Sequence, residues 1–315
     1  MFKVLDIKDG RQPRRRTCPR LADGILRLTK RRWLLLLLAL AVALGMYAFP
    51  KWWEGTRNGG QLPAEPFRIA GNFYYVGAND VASFLITGPD GHVLIDGGYP
   101  GTAPMIMASI TKLGFDMKDV KVLLNSEPHY DHAGGLAELQ KASGAELWAS
   151  EASAEAIASG GYDTNIPFPM RLVPWVIRYP APRVDHRFED GDTIRVGTTE
   201  ITAHITGGHT RGCTTYTFPV RDGDRVLRVV SACSLVSLQG VGYRGYQADF
   251  ERTFRVLRSL PADIWVTSHA RLFGRYRKFV ARTRAANPAD PFIDPEGYRA
   301  YIDSGEARFR RGVMH

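Results

Sequence analysis

From Phe67 onward, short apolar runs of strand length alternate with segments whose apolar residues recur at helical spacing, the pattern of an α/β protein. Residues 73–76, 83–86 and 92–95 read as consecutive strands, with Pro89-Asp90-Gly91 as the turn before the third and Asp96-Gly97-Gly98 closing it. A helix over 104–113, a buried strand over 120–124, a helix over 136–142, a strand over 146–149 and a helix over 152–159 follow. Periodicity then fades from 160 to 183, where five prolines gather with Phe168, Trp175 and Tyr179; this stretch fits an active-site lid or an ordinary packed loop equally well. The second half restarts with strands at 193–196, 200–205, 214–219 and 225–231, the last two joined by the hairpin signal Arg221-Asp222-Gly223-Asp224. A helix near 248–259, a strand at 263–267 and helical segments complete the chain. Two β-rich halves with helices outside predict a four-layer αβ/βα sandwich.

The first fifth of the chain is different. Residues 1–32 form a basic leader in which eleven Lys or Arg stand against Asp6, Asp9 and Asp23; nearly all of the formal charge of +9 lies there. The near-neutral body lacks the cationic groove that nucleic-acid binding needs, so that class of partner is excluded. An uncharged apolar run, Trp33 to Phe49, follows directly on Lys30-Arg31-Arg32. A basic flank before such a run is an export signal. Its length lies between that of a signal h-region and a membrane anchor. Residues 33–50 are therefore a signal cut near Ala41-Val42-Ala43 or an inner-membrane anchor, 51–65 a linker, and 66–315 a catalytic domain in the periplasm, expected to be monomeric. Of three cysteines, Cys18 lies in the leader; Cys213 and Cys233 fix no disulfide framework and are expected to be two small buried residues.

The candidate chemistry sits at predicted strand ends. His129, Asp131 and His132 place three metal-binding groups within four residues, at the C-terminal end of the 120–124 strand. Gly134-Gly135 then allow a helix to begin close by. Two more histidines, His209 in Gly208-His209-Thr210 and His269 in Ser268-His269-Ala270, stand where later strands empty into loops, so one sheet edge could collect them all. His92 and His204 fall inside strands, His186 in a proline-bounded connection and His315 at the terminus; these are treated as structural or exposed.

The runs Glu127-Pro128-His129-Tyr130-Asp131-His132 and Gly208-His209-Thr210-Arg211-Gly212, with the late His269, resemble the signature of the metallo-β-lactamase superfamily. Within it the chain looks most like the third subclass of class B β-lactamases. The stretches 94–98, 131–139, 202–218, 233–237 and 287–302 carry that likeness, and the last three are its more specific part. The resemblance implies two zinc ions, one held by Glu127, His129 and His209 and the other by Asp131, His132 and His269, with a hydroxide shared between them attacking the lactam carbonyl of a small β-lactam substrate. It also implies a role in catalysis for Asp131, a substrate- or solvent-orienting role for Ser234, a supporting hydrogen bond from Asp96 to the metal-binding loop, and a place for Cys233 outside the metal's contacts.

Glu127 departs from the usual histidine at the first motif position. Its extra negative charge lowers the net charge of a two-zinc centre with its hydroxide from about +2 to about +1, so the first site is expected to bind zinc more weakly or to activate water less. The other reading is a non-ligating Glu127 beside a single zinc. Competing functions within the superfamily are thioester and lactone hydrolysis. Thioester-cleaving relatives hold both metals with a bridging aspartate from a strand end between the two late histidines, and the region 231–234 has none. A membrane-tethered metal-binding protein that has lost catalysis is the non-enzymatic reading.

Overall fold

The computed structural model describes residues 32–45, 60–162, 177–236 and 242–313, and the chain divides into two compact units, Met1–Thr56 and Arg57–His315. In the first unit a helix, α1, covers 32–45. Among the described residues no helix is long and apolar enough to cross a membrane. The leader up to residue 31, the end of the apolar run, most of the linker, residues 163–176 of the suspected lid, and His315 lie outside the described residues.

The second unit contains two sheets. One has seven strands in chain order: β1 (Phe67–Ala70), β2 (Phe73–Tyr75), β3 (Phe84–Ile86), β4 (His92–Ile95), β5 (Val120–Leu124), β6 (Glu146–Ser150) and β7 (His186–Phe188). Its first four strands are antiparallel and its last four parallel, with α2 (Ala103–Lys112) linking β4 to β5. Between β5 and β7 lie α3 (Tyr130–Ala133), α4 (Leu136–Ser143) and α5 (Glu151–Ala158). The other sheet holds β8 (Thr193–Val196), β9 (Thr199–Ile205), β10 (Thr214–Asp222), β11 (Arg225–Ala232) and β12 (Ile264–Thr267), all antiparallel except the β11–β12 pair. The helices α6 (Tyr246–Ser259), α7 (Arg275–Arg282) and α8 (Pro295–Val313) complete the chain.

Side-chain alternation explains why both faces of the first sheet are covered. Along β3 and β4, Phe84, Ile86, Val93 and Ile95 join the core that also holds Tyr216 and Phe218 of the second sheet, whereas Leu85 and Leu94 pack with Ile106 and Ile110 of α2 and Leu136 and Leu139 of α4. The outer face of the second sheet is covered by Phe250 and Phe254 of α6 and Tyr301 of α8. Helix, sheet, sheet, helix is the expected sandwich.

Two strands lie where none was predicted. β1 and β7 are three or four residues long and stand at the two edges of the first sheet, too short for alternation to declare them. His186, assigned above to a connection, opens β7 opposite Trp148, where its ring stacks on the indole at 4.2 Å. The cysteines also need correcting: Cys213 and Cys233 form a disulfide, with Cα atoms 5.8 Å apart. Residues 213 and 233 lie just beyond the β10–β11 ladder, whose register sets Tyr216 against Ser231, so the strands themselves bring the two cysteines side by side.

Candidate metal centre

β5 ends at Leu124, and the chain then turns through Asn125 and Ser126 into the metal-like run. That turn is clamped from several sides. Asp96, at the end of β4, accepts hydrogen bonds from the Ser126 N–H at 2.7 Å, the Ser126 hydroxyl at 2.7 Å and the Asn125 amide at 3.0 Å. Tyr216 of β10 donates to the Asn125 carbonyl, Thr214 N–H to the Ser126 carbonyl, and Tyr179 to the Pro128 carbonyl. The supporting role expected of Asp96 is thus the contact it makes. Burial pushes its carboxyl up to about 6, against the opposing pull of His132 and the Ser126 donors.

Gly135 permits close backbone approach here, because a Cβ would stand 2.3 Å from the Gly97 carbonyl oxygen. Gly208, at φ +131°, serves His209 similarly: a Cβ would meet the Phe250 ring of α6 at 2.6 Å.

The six predicted ligands converge as two groups of three. In the first, Glu127 Oε2 lies 2.9 Å from His129 Nδ1 and 2.8 Å from His209 Nε2, and the two nitrogens are 3.1 Å apart. In the second, Asp131 Oδ2 lies 3.2 Å from His132 Nε2 and 3.7 Å from His269 Nε2. The donor atoms within each group all lie within 4.8 Å of one another. Each group draws on both sheets, with His209 following β9 and His269 following β12.

The outer ring nitrogens fix which nitrogen faces inward. His209 Nδ1 is 2.7 Å from the Val236 carbonyl oxygen, so it carries the hydrogen and donates, leaving Nε2 for the centre. His269 Nδ1 is 3.3 Å from Asp80 Oδ2, with the same consequence.

Burial would raise the carboxyl of Glu127, but His209 and His132 hold it well below the usual carboxylate range; Asp131 is likewise held down, chiefly by His132. Burial would lower His132, but Asp131 and Glu127 push it up to about 10. A buried anion at Glu127 and a half-buried one at Asp131 therefore demand cations around them. Glu127 Oε2 is buried without a formed hydrogen bond although two ring nitrogens stand within 2.9 Å of it, so lone pairs converge on one point. Imidazoles and carboxylates converging in this way fit a divalent metal ion.

Ser234 is 2% exposed, and its hydroxyl oxygen accepts from the Val236 N–H at 3.3 Å, on the same turn whose carbonyl orients His209. Cys233 is held in the disulfide and so offers no thiolate to a metal.

Sequence reasoning missed Asp80. Besides its contact with His269, its carboxylate takes the Arg271 N–H at 3.1 Å and pairs with the Arg271 guanidinium, and Val81 forms a β-bridge with His269. Burial would raise the Asp80 carboxyl, but His269 and Arg271 hold it below the usual range. The only sequence signal was an acidic residue between two apolar strands. Asp80→Asn removes the charge that fixes the His269 tautomer, and is expected to weaken the Asp131–His132–His269 group for metal about 10-fold in chelator competition while sparing the other group. Equal affinity in the variant would remove Asp80 from this role.

A family model described as "Metallo-beta-lactamase superfamily" matches residues 76–269. The structure resembles "Rm3 metallo-beta-lactamase" with TM-score 0.75 and 36% identity, covering 82% of this chain and 97% of that one. It also resembles BJP-1, a subclass B3 metallo-beta-lactamase of Bradyrhizobium japonicum, with TM-score 0.73 and 33% identity over 81% of this chain and 95% of that one. Among curated proteins, "Hydroxyacylglutathione hydrolase" of Jannaschia sp. (strain CCS1) is 26% identical over 211 residues, 66% of this chain and 69% of that protein.

Proposed function

The chain belongs to the metallo-beta-lactamase superfamily, and from that premise we propose that it opens the cyclic amide of β-lactams, whether penicillins, cephalosporins or carbapenems, in the periplasm. Glu127, His129 and His209 would hold one zinc ion and Asp131, His132 and His269 a second. Bound there, zinc would supply Lewis acidity toward the scissile carbonyl and a water made acidic enough to act near neutral pH.

The chain's own residues do the positioning. Val236 and Asp80 hold His209 and His269 with Nε2 inward, and Ser234 fixes the turn that carries the Val236 carbonyl. Asp131 stays ionised beside His132 and offers its carboxylate to the metal of the second group.

The observation that carries the reading is the end of β11. Ser231, Ala232, Cys233 and Ser234 present no carboxylate there and the cysteine is bonded to Cys213, so the donor set is two carboxylates and four imidazoles without thiolate. That set matches what the third-subclass resemblance implies. The similarity to solved β-lactamases over nearly their whole length supports it further.

Hydrolysis of a glutathione thioester is the second reading, favoured by the curated relatives named hydroxyacylglutathione hydrolase. The purified full chain, loaded with zinc, is expected to turn over a chromogenic cephalosporin or a carbapenem faster than a homoserine lactone or a glutathione thioester. Turnover confined to the thioester or the lactone would overturn the first reading.

The periplasmic placement is supported by the basic leader, the apolar run and the disulfide, since such bonds persist in oxidising compartments. Either a soluble form released by signal cleavage or a form anchored in the inner membrane satisfies all three.

A further inference from the structure

We infer that Glu127 bridges the two metal positions, giving one carboxylate oxygen to each group of three, so that the centre is a single coupled unit. This rests on the reading that both groups hold metal.

The two oxygens of Glu127 face different partners. Oε2 points to His129 Nδ1 and His209 Nε2, whereas Oε1 lies 3.5 Å from His132 Nε2 in the other group and 3.4 Å from the Ser268 hydroxyl. The side chain is completely buried, so neither oxygen turns to solvent. Its orientation is held from outside the centre as well. Tyr179 and Thr214 anchor the backbone on either side of it, and Ser268, next to His269, takes up Oε1.

A carboxylate suits this place in a way that an imidazole does not. Its oxygens diverge from one carbon toward neighbouring points, and two metal ions about 3.5–4 Å apart are within reach of one such group. An imidazole directs its two nitrogens to opposite edges of the ring and serves one ion. A carboxylate chelating the first ion alone would have both oxygens facing His129 and His209. Instead Oε1 is directed to the group containing His132.

The substitution at the first motif position thus has a second meaning. The first site exchanges a neutral donor for a charged one, and the second site gains a ligand. Such a bridge comes from the end of β5, ahead of His129, and not from the strand end between the two late histidines where the thioester-cleaving relatives carry theirs.

Zinc affinity measured by chelator competition on the full chain tests this, with His269→Ala used to assign which binding step belongs to the second group. Wild type is expected to take up two ions. Glu127→His, which keeps a donor for the first group, is expected to retain that ion and to lose at least about 10-fold in affinity for the other. Second-site affinity within twofold of wild type would overturn the bridge while leaving the two-metal reading intact. Uptake of a single ion by wild type would overturn both. A structure of the zinc-loaded chain reads the bridge directly: each zinc lies about 2.0–2.2 Å from a different Glu127 oxygen. Both oxygens on one zinc, or Oε1 bonded to Ser268 alone, would refute it, and unchanged thermal unfolding of Glu127→His checks that the variant is folded.

Discussion

Asp131→Ala lowers kcat/KM on whichever substrate the zinc-loaded chain hydrolyses by roughly 10²–10⁴-fold. Asp131 lies in α3, a helix of four residues that begins directly after His129, and its carboxylate sits between two imidazoles of the same group. His132 holds that carboxylate ionised against burial, so the anion is present across the working pH range. Alanine leaves His132 and His269 facing each other without it. The loss then has two sources, a weakened metal position and a missing negative charge beside His132 and His269. Metal analysis separates them. Asp131→Asn, which keeps the size but not the charge, is expected to lose most of the rate even when supplied with excess zinc. A rate within threefold of wild type in the alanine variant would exclude Asp131 from the chemistry.

Removing the Cys213–Cys233 bond by the double substitution to serine costs about 3 kcal/mol of stability, from the freedom that a loop of this length regains in the unfolded chain. The bond closes a separation of 20 residues that includes the β10–β11 hairpin. For a domain of this size the midpoint of thermal unfolding falls by roughly 10 °C. A non-reduced proteolytic digest should contain a peptide joining residues 213 and 233. An unshifted midpoint, or both cysteines found as free thiols in protein purified without reductant, would contradict the bond.

The candidate ligands are readable from the sequence because they come as a contiguous run and two short loop motifs, each following an apolar strand that announces itself. Glu127, His129, Asp131 and His132 needed no long-range information to be suspected, and His209 and His269 needed only the rule that loops after strands collect at one edge. Other features depend on contacts distant in sequence. Asp80 is 189 residues from His269, and nothing near it in the chain advertises that contact. The disulfide follows from the register of β10 on β11, which the hairpin signal suggested but did not specify. The direction of the Ser234 hydroxyl depends on how the turn after β11 closes on Val236. β7 is stabilised by its parallel partner and by the stack of His186 on Trp148 more than by any pattern of its own three residues.

Because each group of ligands takes donors from both sheets, neither half of the chain carries a working site by itself. The second sheet must dock on the first before either group is complete, and Val81 and Ala82 reach across to His269 and Ser268 to tie the two together. A metal bound there would act as a clasp across the seam. Stripping the metal with a chelator is therefore expected to loosen the seam between the sheets as well as to empty the centre, read as faster limited proteolysis of the chain.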